Sequence, residues 1–177
     1  MSFDPQKHHR RSIRLKGYDY SLPGGYFITL VVYQRACVLG EVVNGAMTLS
    51  PFGQIVRDAW AWLESQYPTI QLDEFCIMPN HLHGILFIGE QTSRVETNPG
   101  RGGSRTAPTG KTLGGLIGAF KTVSTKQVNL LRNTPGVPLW QRNYYEHIIR
   151  DEAGLSNARA YIRANPLEWI MDPENHP

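Results

Sequence analysis

The 177 residues include two cysteines, Cys37 and Cys76. Two are too few for a disulfide framework, which points to a reducing cytoplasm and to thiols packed as small core side chains. No apolar run approaches the roughly 20 residues of a membrane span, so no membrane partner is expected. The polar, basic N-terminus lacks the apolar stretch that follows the charges of a secretory signal. No internal repeat is present. Gly110-Lys111-Thr112 ends like a phosphate-binding loop, but position 105 holds Arg105 where that loop needs glycine, and this excludes an ATPase of that kind.

Charge is also in short supply: charged residues make up 19% of the chain and the net charge is only +3. The distribution says more than the total. Residues 1–40 carry a net +4, residues 91–111 a net +3 and residues 112–150 a net +4, whereas residues 41–90 and 151–177 are acidic. Basic segments are what a polyanion engages, although scattered surface charge would give the same count. Hydrophobic residues at 41% exclude wholesale disorder, and the length suits one domain over 1–177.

The patterning predicts an α+β fold. Tyr26 to Tyr33 is β-branched and aromatic and reads as a central strand. Asn44-Gly45 between apolar runs predicts a tight hairpin within Val38 to Leu49. Ser50-Pro51 opens a helix that ends near Tyr67-Pro68. Ile70 to Met78 and His81 to Ile88 read as strands joined at Pro79-Asn80. Residues 91–111, rich in Gly and Arg, read as a flexible loop, and residues 1–20 as a basic N-terminal arm. Leu113 to Leu131 is an amphipathic helix, Trp140 to Ile149 a strand, and Asp151 to about Ala164 a helix stopped at Asn165-Pro166. Helices interspersed with antiparallel strands suggest a sheet with helices packed mainly on one face.

His81-Leu82-His83 is the sharpest feature. Residues two apart in a strand share a face, so both imidazoles leave one side while Leu82 enters the core on the other. Two such rings can hold a divalent metal; the alternative is a pair of core or surface histidines. Tyr161 and Asn165 lie four apart on the last helix and can share a face, the phenol as a nucleophile and the amide oxygen as a third ligand. Alternatively, Tyr161 packs in the core and Asn165 caps the helix. Pro166 disfavours helical geometry at Asn165. Tyr144 and Tyr145 compete as nucleophile, but adjacent strand residues point to opposite faces. Tyr18, Tyr20, Tyr144 and Tyr145 are candidates for stacking on unpaired bases.

Met78-Pro79-Asn80-His81-Leu82-His83-Gly84-Ile85 resembles the HUH motif of single-tyrosine transposases. Trp140 to Arg150 resembles the strand before the catalytic helix of their REP-associated branch, and Tyr161-Ile162-Arg163-Ala164-Asn165-Pro166 resembles that branch's nucleophile segment. Arg10 to Tyr20, followed by Tyr26-Phe27-Ile28-Thr29, is similar to bacterial members. The resemblance implies an RRM-like, ferredoxin-like sandwich that nicks and rejoins single-stranded DNA, with hairpins, through a 5′-phosphotyrosine intermediate. Tyr161 would be catalytic. His81, His83 and Asn165 would hold Mg²⁺ or Mn²⁺. Arg10, Arg11, Arg14, Lys16, Lys121, Lys126 and Arg142 would contact DNA, and the protein would act as a monomer or homodimer. A domesticated relative that binds single-stranded or hairpin DNA without cutting it is the alternative, and a metal hydrolase acting on a small substrate is a third reading.

Overall fold

The computed structural model describes residues 19–20, 22–90 and 112–169. The predicted N-terminal arm, apart from residues 19 and 20, and the whole of the 91–111 loop lie outside these residues.

β1 (Gly24–Val31) is central to a four-stranded antiparallel sheet of order β4-β5-β1-β6, with β4 at Ile70–Ile77, β5 at His81–Ile88 and β6 at Tyr145–Ile149. β2 (Gly40–Val43) and β3 (Ala46–Leu49) form the separate hairpin that Asn44-Gly45 predicted, and both turn residues take positive φ, 52° and 75°. A tight hairpin of this kind needs that left-handed geometry, which Asn and Gly adopt at least cost.

The helices are α1 (Pro51–Gln66), α2 (Leu113–Leu131) and α3 (Glu152–Ala164). Each begins at a side-chain cap: Ser50, Thr112 and Asp151 accept from the N–H of Gly53, Gly115 and Gly154. α1 and α2 share one sheet face and bury Trp60, Leu63, Leu116 and Phe120 against Tyr26, Ile28, Leu30, Leu82 and Leu86. α3 covers part of the other face with a much smaller apolar set, Leu155, Ala158 and Ile162 against Ile85, Phe27 and Ile149. The fold is therefore the antiparallel α/β sandwich expected, with two of its three helices on one side.

Two expectations are corrected. Strand β6 starts at Tyr145 rather than Trp140, and Trp140 makes only an isolated bridge to Val32. The intervening carbonyls of Gln141, Arg142 and Asn143 turn to the Lys121 ammonium, so they do not join a ladder. Cys37 is exposed and so is not a core thiol, whereas Cys76 is half-buried and packs against the small apolar cluster under α3. Cys37 sits in the irregular run before β2, where Leu39 is the residue that enters the core.

Candidate active site

Strand β5 reads as a nearly continuous apolar run because both its faces are covered. Leu82, Gly84, Leu86 and Ile88 face α1 and α2. His81, His83, Ile85 and Phe87 face the α3 side. The two imidazoles are buried, with ring centroids 4.4 Å apart.

Neighbours fix both rings. Asn80 is anchored twice: its carbonyl accepts from Val32 N–H at 2.8 Å, and its Oδ1 lies 2.9 Å from His81 Nδ1. An amide oxygen only accepts, so Nδ1 of His81 is the donor of this hydrogen bond. Thr29, the register partner of His83 on β1, places its hydroxyl 2.8 Å from His83 Nδ1. Phe27 stacks on the His83 ring at 5.5 Å. Burial, reinforced by the nearby His81, pushes the His83 pKa well below its usual 6.5, so this ring is neutral at neutral pH.

α3 brings Tyr161 to the same place. Its hydroxyl lies 3.4 Å from His83 Nε2, the rings meet edge-on at 5.1 Å, and Phe27 presents its edge at 5.9 Å. Tyr161 is 41% exposed, so it stands between the buried imidazoles and solvent. Asn165 follows one turn later at the helix end. It keeps helical angles (φ −53°, ψ −43°) in spite of Pro166, and its N–H donates to Tyr161 O at 3.1 Å. Asn165 is buried, and beyond it Trp169 lies with its ring 5.8 Å from that of His81.

The placement of α3 rests on charge as well as on its thin apolar seam. A bulge in β4 between Leu72 and Phe75 offers two consecutive carboxylates to the helix. Arg159 donates two hydrogen bonds to Asp73, at 2.5 and 3.0 Å, and Arg163 donates two to Glu74, at 2.5 and 3.0 Å. The Arg159 hydrogen bond, above all, holds the Asp73 carboxyl below its usual pKa.

The structure thus brings His81, His83 and Tyr161 together and sets Asn165 one turn along the same helix. Among the described residues no three His, Cys, Asp or Glu side chains cluster as a metal site. Two imidazole nitrogens, with the amide oxygen of Asn165, could hold a divalent ion that takes its remaining ligands from water and phosphate oxygens, and imidazoles suit Mn²⁺ better than Mg²⁺. Thr29, Asn80, Phe27 and Trp169 were not singled out in the sequence; strand alternation from Tyr26 would have flagged Phe27 and Thr29 for the histidine face.

The other predicted residues divide. Arg10, Arg11, Arg14, Lys16 and Tyr18 lie outside the described residues. Lys121 spends its ammonium on backbone carbonyls, whereas Lys126 and Arg142 are exposed, and all three border one groove beside α2. Of the stacking candidates, Tyr20 is buried and Tyr144 packs against the core beneath Lys121. Tyr145 is 52% exposed and, through Thr29, aligns with His83 on the histidine face of the sheet. No helix of the described residues is long and apolar enough to cross a membrane.

No family model matches the chain. It is 40% identical over 174 residues to a Haemophilus influenzae protein described as uncharacterized, covering 93% of this chain and 92% of that one. A second Haemophilus influenzae protein, named "Putative REP-associated tyrosine transposase", is 24% identical over 159 residues, 85% of this chain and 74% of its own length. Among solved structures, a REP-associated tyrosine transposase bound to a REP hairpin shares the fold, with a TM-score of 0.58, 18% identity, and coverage of 89% of this chain and 73% of that one. In its fold, and in a sequence likeness that spans most of the chain, the protein is similar to REP-associated tyrosine transposases.

Proposed function

We propose that this protein is a REP-associated tyrosine transposase, of the single-tyrosine HUH kind, that nicks and rejoins single-stranded DNA bearing hairpins, with Tyr161 as the nucleophile. The observation that carries the reading is the 3.4 Å approach of the Tyr161 hydroxyl to His83 Nε2 across 78 positions of sequence. Two buried polar rings beside a half-exposed phenol carry a desolvation cost that an apolar core would avoid, which is the mark of a functional site. The relative in the solved structure was bound to a REP hairpin, which supports hairpin DNA as the substrate class.

In the reaction Tyr161 loses its phenolic proton and its oxygen forms a bond to phosphorus. The bond from phosphorus to the 3′-oxygen breaks, the electron pair stays on that oxygen, and the oxygen takes up a proton. The product is a 5′-phosphotyrosine ester and a free 3′-hydroxyl. Attack by a 3′-hydroxyl reverses these steps, so joining needs no ATP. His81, His83 and Asn165 would hold Mg²⁺ or Mn²⁺, which when bound supplies a Lewis acid for the phosphate oxygen. Asn80 and Thr29 orient the two imidazoles. Phe27 and Trp169 shield them from water. Tyr145 offers an exposed ring for a base beside the site. Tyr161 meets His83 of its own chain, which supports action in cis.

The test is a labelled hairpin-bearing strand incubated with the protein and Mn²⁺, then denatured. The wild type should retain a covalent label, and Tyr161→Phe or a chelator should remove it. A label that survives Tyr161→Phe would assign the nucleophile elsewhere.

A further inference from the structure

On the side of the sheet away from the histidines, α2 and the segment leading to β6 enclose a groove of about 730 Å³. That volume lies in the usual range for small-ligand sites. Its walls are largely apolar, from Leu130, Pro135, Pro138 and Leu139, with Trp140 at its base. Leu130 is 72% exposed, unusual for a large aliphatic side chain with nothing to cover it.

The groove is preformed. Asn129 Nδ2 donates to Val137 O at 2.9 Å, and Arg132 donates to both Asn129 Oδ1 and Val137 O. Trp140 Nε1 donates to Ser124 Oγ at 2.9 Å. Lys121 clamps the carbonyls of Gln141 and Asn143 at 2.7 and 2.9 Å. Burial pushes the Lys121 pKa down to about 8, so at neutral pH its ammonium is still mostly charged.

The rim is cationic. Lys126 and Arg142 border the groove and form no ion pair among the described residues, and no acidic side chain of those residues lines it. An apolar slot with cationic edges suits a flat ring attached to a phosphate. The groove also joins the reactive side at the end of the sheet: Gln141 N–H donates to Val31 O at 2.8 Å, and Val31 is the register partner of His81.

We infer that this groove holds an unpaired nucleotide of the DNA, its base between α2 and the 133–140 segment and its phosphate against Lys126 and Arg142. The inference deepens the proposed function and rests on the DNA part of that reading, not on its chemistry. A strand held here would pass over residues 141–143 to the histidine face, so recognition would lie behind the sheet and cleavage in front of it.

The test compares one DNA hairpin carrying a short unpaired tail with the same hairpin lacking it, by fluorescence anisotropy. Thr125 on α2 lines the groove, and Thr125→Trp fills it. It should weaken binding of the tailed hairpin about ten-fold, within the range for a lost stacked base, and leave the bare hairpin almost unaffected. Unchanged affinity for both, or an equal loss for both, would overturn the inference. Where the tryptophan disturbs folding, as read by circular dichroism, Lys126→Ala with Arg142→Ala replaces it. That pair should flatten the salt dependence of tailed-hairpin binding by about 0.7 in the log–log slope, the value for one phosphate on a single strand, and an unchanged slope would overturn the inference. Tyr161→Phe separates the two readings: it should bind the tailed hairpin like the wild type but form no adduct. A wild type that binds without forming adducts would sink the cleavage reading and leave the groove to be judged by binding alone.

Discussion

Arg159 of α3 grips Asp73 of β4 through two hydrogen bonds, across 86 positions of sequence, two residues before the tyrosine that meets His83. The helix has little else to hold it, since only Leu155 and Ile162 are buried along its length. A helix with so thin an apolar seam depends on its polar contacts for register. Asp73→Asn removes the carboxylate charge and keeps the shape. We expect it to cost about 1–2 kcal/mol, as for a partly buried charge-assisted hydrogen bond, and to slow adduct formation more than it weakens DNA binding. Adduct kinetics at saturating DNA give the answer, with Asp73→Glu as the partial rescue. Normal kinetics in Asp73→Asn would show that the seam alone sets the position of Tyr161.

Thr29 acts on the site from one shell out. Its hydroxyl is 2.8 Å from His83 Nδ1, and both groups are buried. Thr29→Val keeps the volume and strands a ring nitrogen in an apolar setting. Stability should fall by about 1–3 kcal/mol. Mn²⁺ affinity, measured by calorimetry, should fall about ten- to a hundred-fold, the usual effect of removing the partner of a ligating histidine. A variant with wild-type Mn²⁺ affinity would argue against His83 as a ligand.

Local signals carried far in this chain, and long-range pairings did not. Asn44-Gly45, the Ser50 cap and the stop at Tyr67-Pro68 are each set by a few adjacent residues, and each stands where it was expected. The shared face of His81 and His83 follows from strand alternation alone. Nothing local announces that Asp73 meets Arg159 or that Thr29 lies beside His83, because sheet order and the β4 bulge decide both. The Trp140 segment misled for a related reason. Its aromatic content reflects packing against Phe120 and a hydrogen bond to Ser124, while Lys121 diverts its carbonyls from any ladder. Asn165 stays helical before Pro166 because the Tyr161 carbonyl accepts its N–H and bonds to Ala164 O continue the turn.

Acid should weaken the metal-free fold in two stages. The folded pKa of His83 lies well below 6.5, chiefly through burial, whereas in the unfolded chain it titrates near 6.5. Between those values the unfolded state alone takes up a proton, so stability rises with pH there. The His83 contribution is intact above about 6.5 and is lost as pH falls from there toward the folded value, at no more than about 1.4 kcal/mol per pH unit. Asp73 follows the carboxylate pattern. Its pKa is depressed chiefly by Arg159, so its contribution is intact above 3.8 and is lost as pH falls below that value. Urea midpoints measured with a chelator should decline from about pH 6.5 downward and again below about pH 4. His83→Asn should flatten the upper stage and spare the lower. A wild type with a flat profile between pH 7 and 5 would contradict the burial of a neutral His83.

Gly84 tests how closely the core and the site are joined. A Cβ at this position would lie 2.6 Å from Trp60 Cζ2. Trp60 is fully buried with its ring edge-on to Phe120 at 5.3 Å, so it has little room to retreat. Gly84→Ala should therefore cost about 1–3 kcal/mol through overpacking, which lowers the melting temperature by several degrees in a protein of this size. The strand would be pushed toward the α3 side, where the neighbouring His83 meets Tyr161, so adduct formation should fall as well. Trimming the obstructing ring separates the two effects: Trp60→Phe combined with Gly84→Ala should recover part of the stability lost in Gly84→Ala relative to the sum of the single variants. If adduct formation recovers in parallel, the packing of Trp60 governs the reactive face through one strand. If stability recovers and adduct formation does not, the added methyl has shifted β5 in a way that the core tolerates and the Tyr161–His83 contact does not.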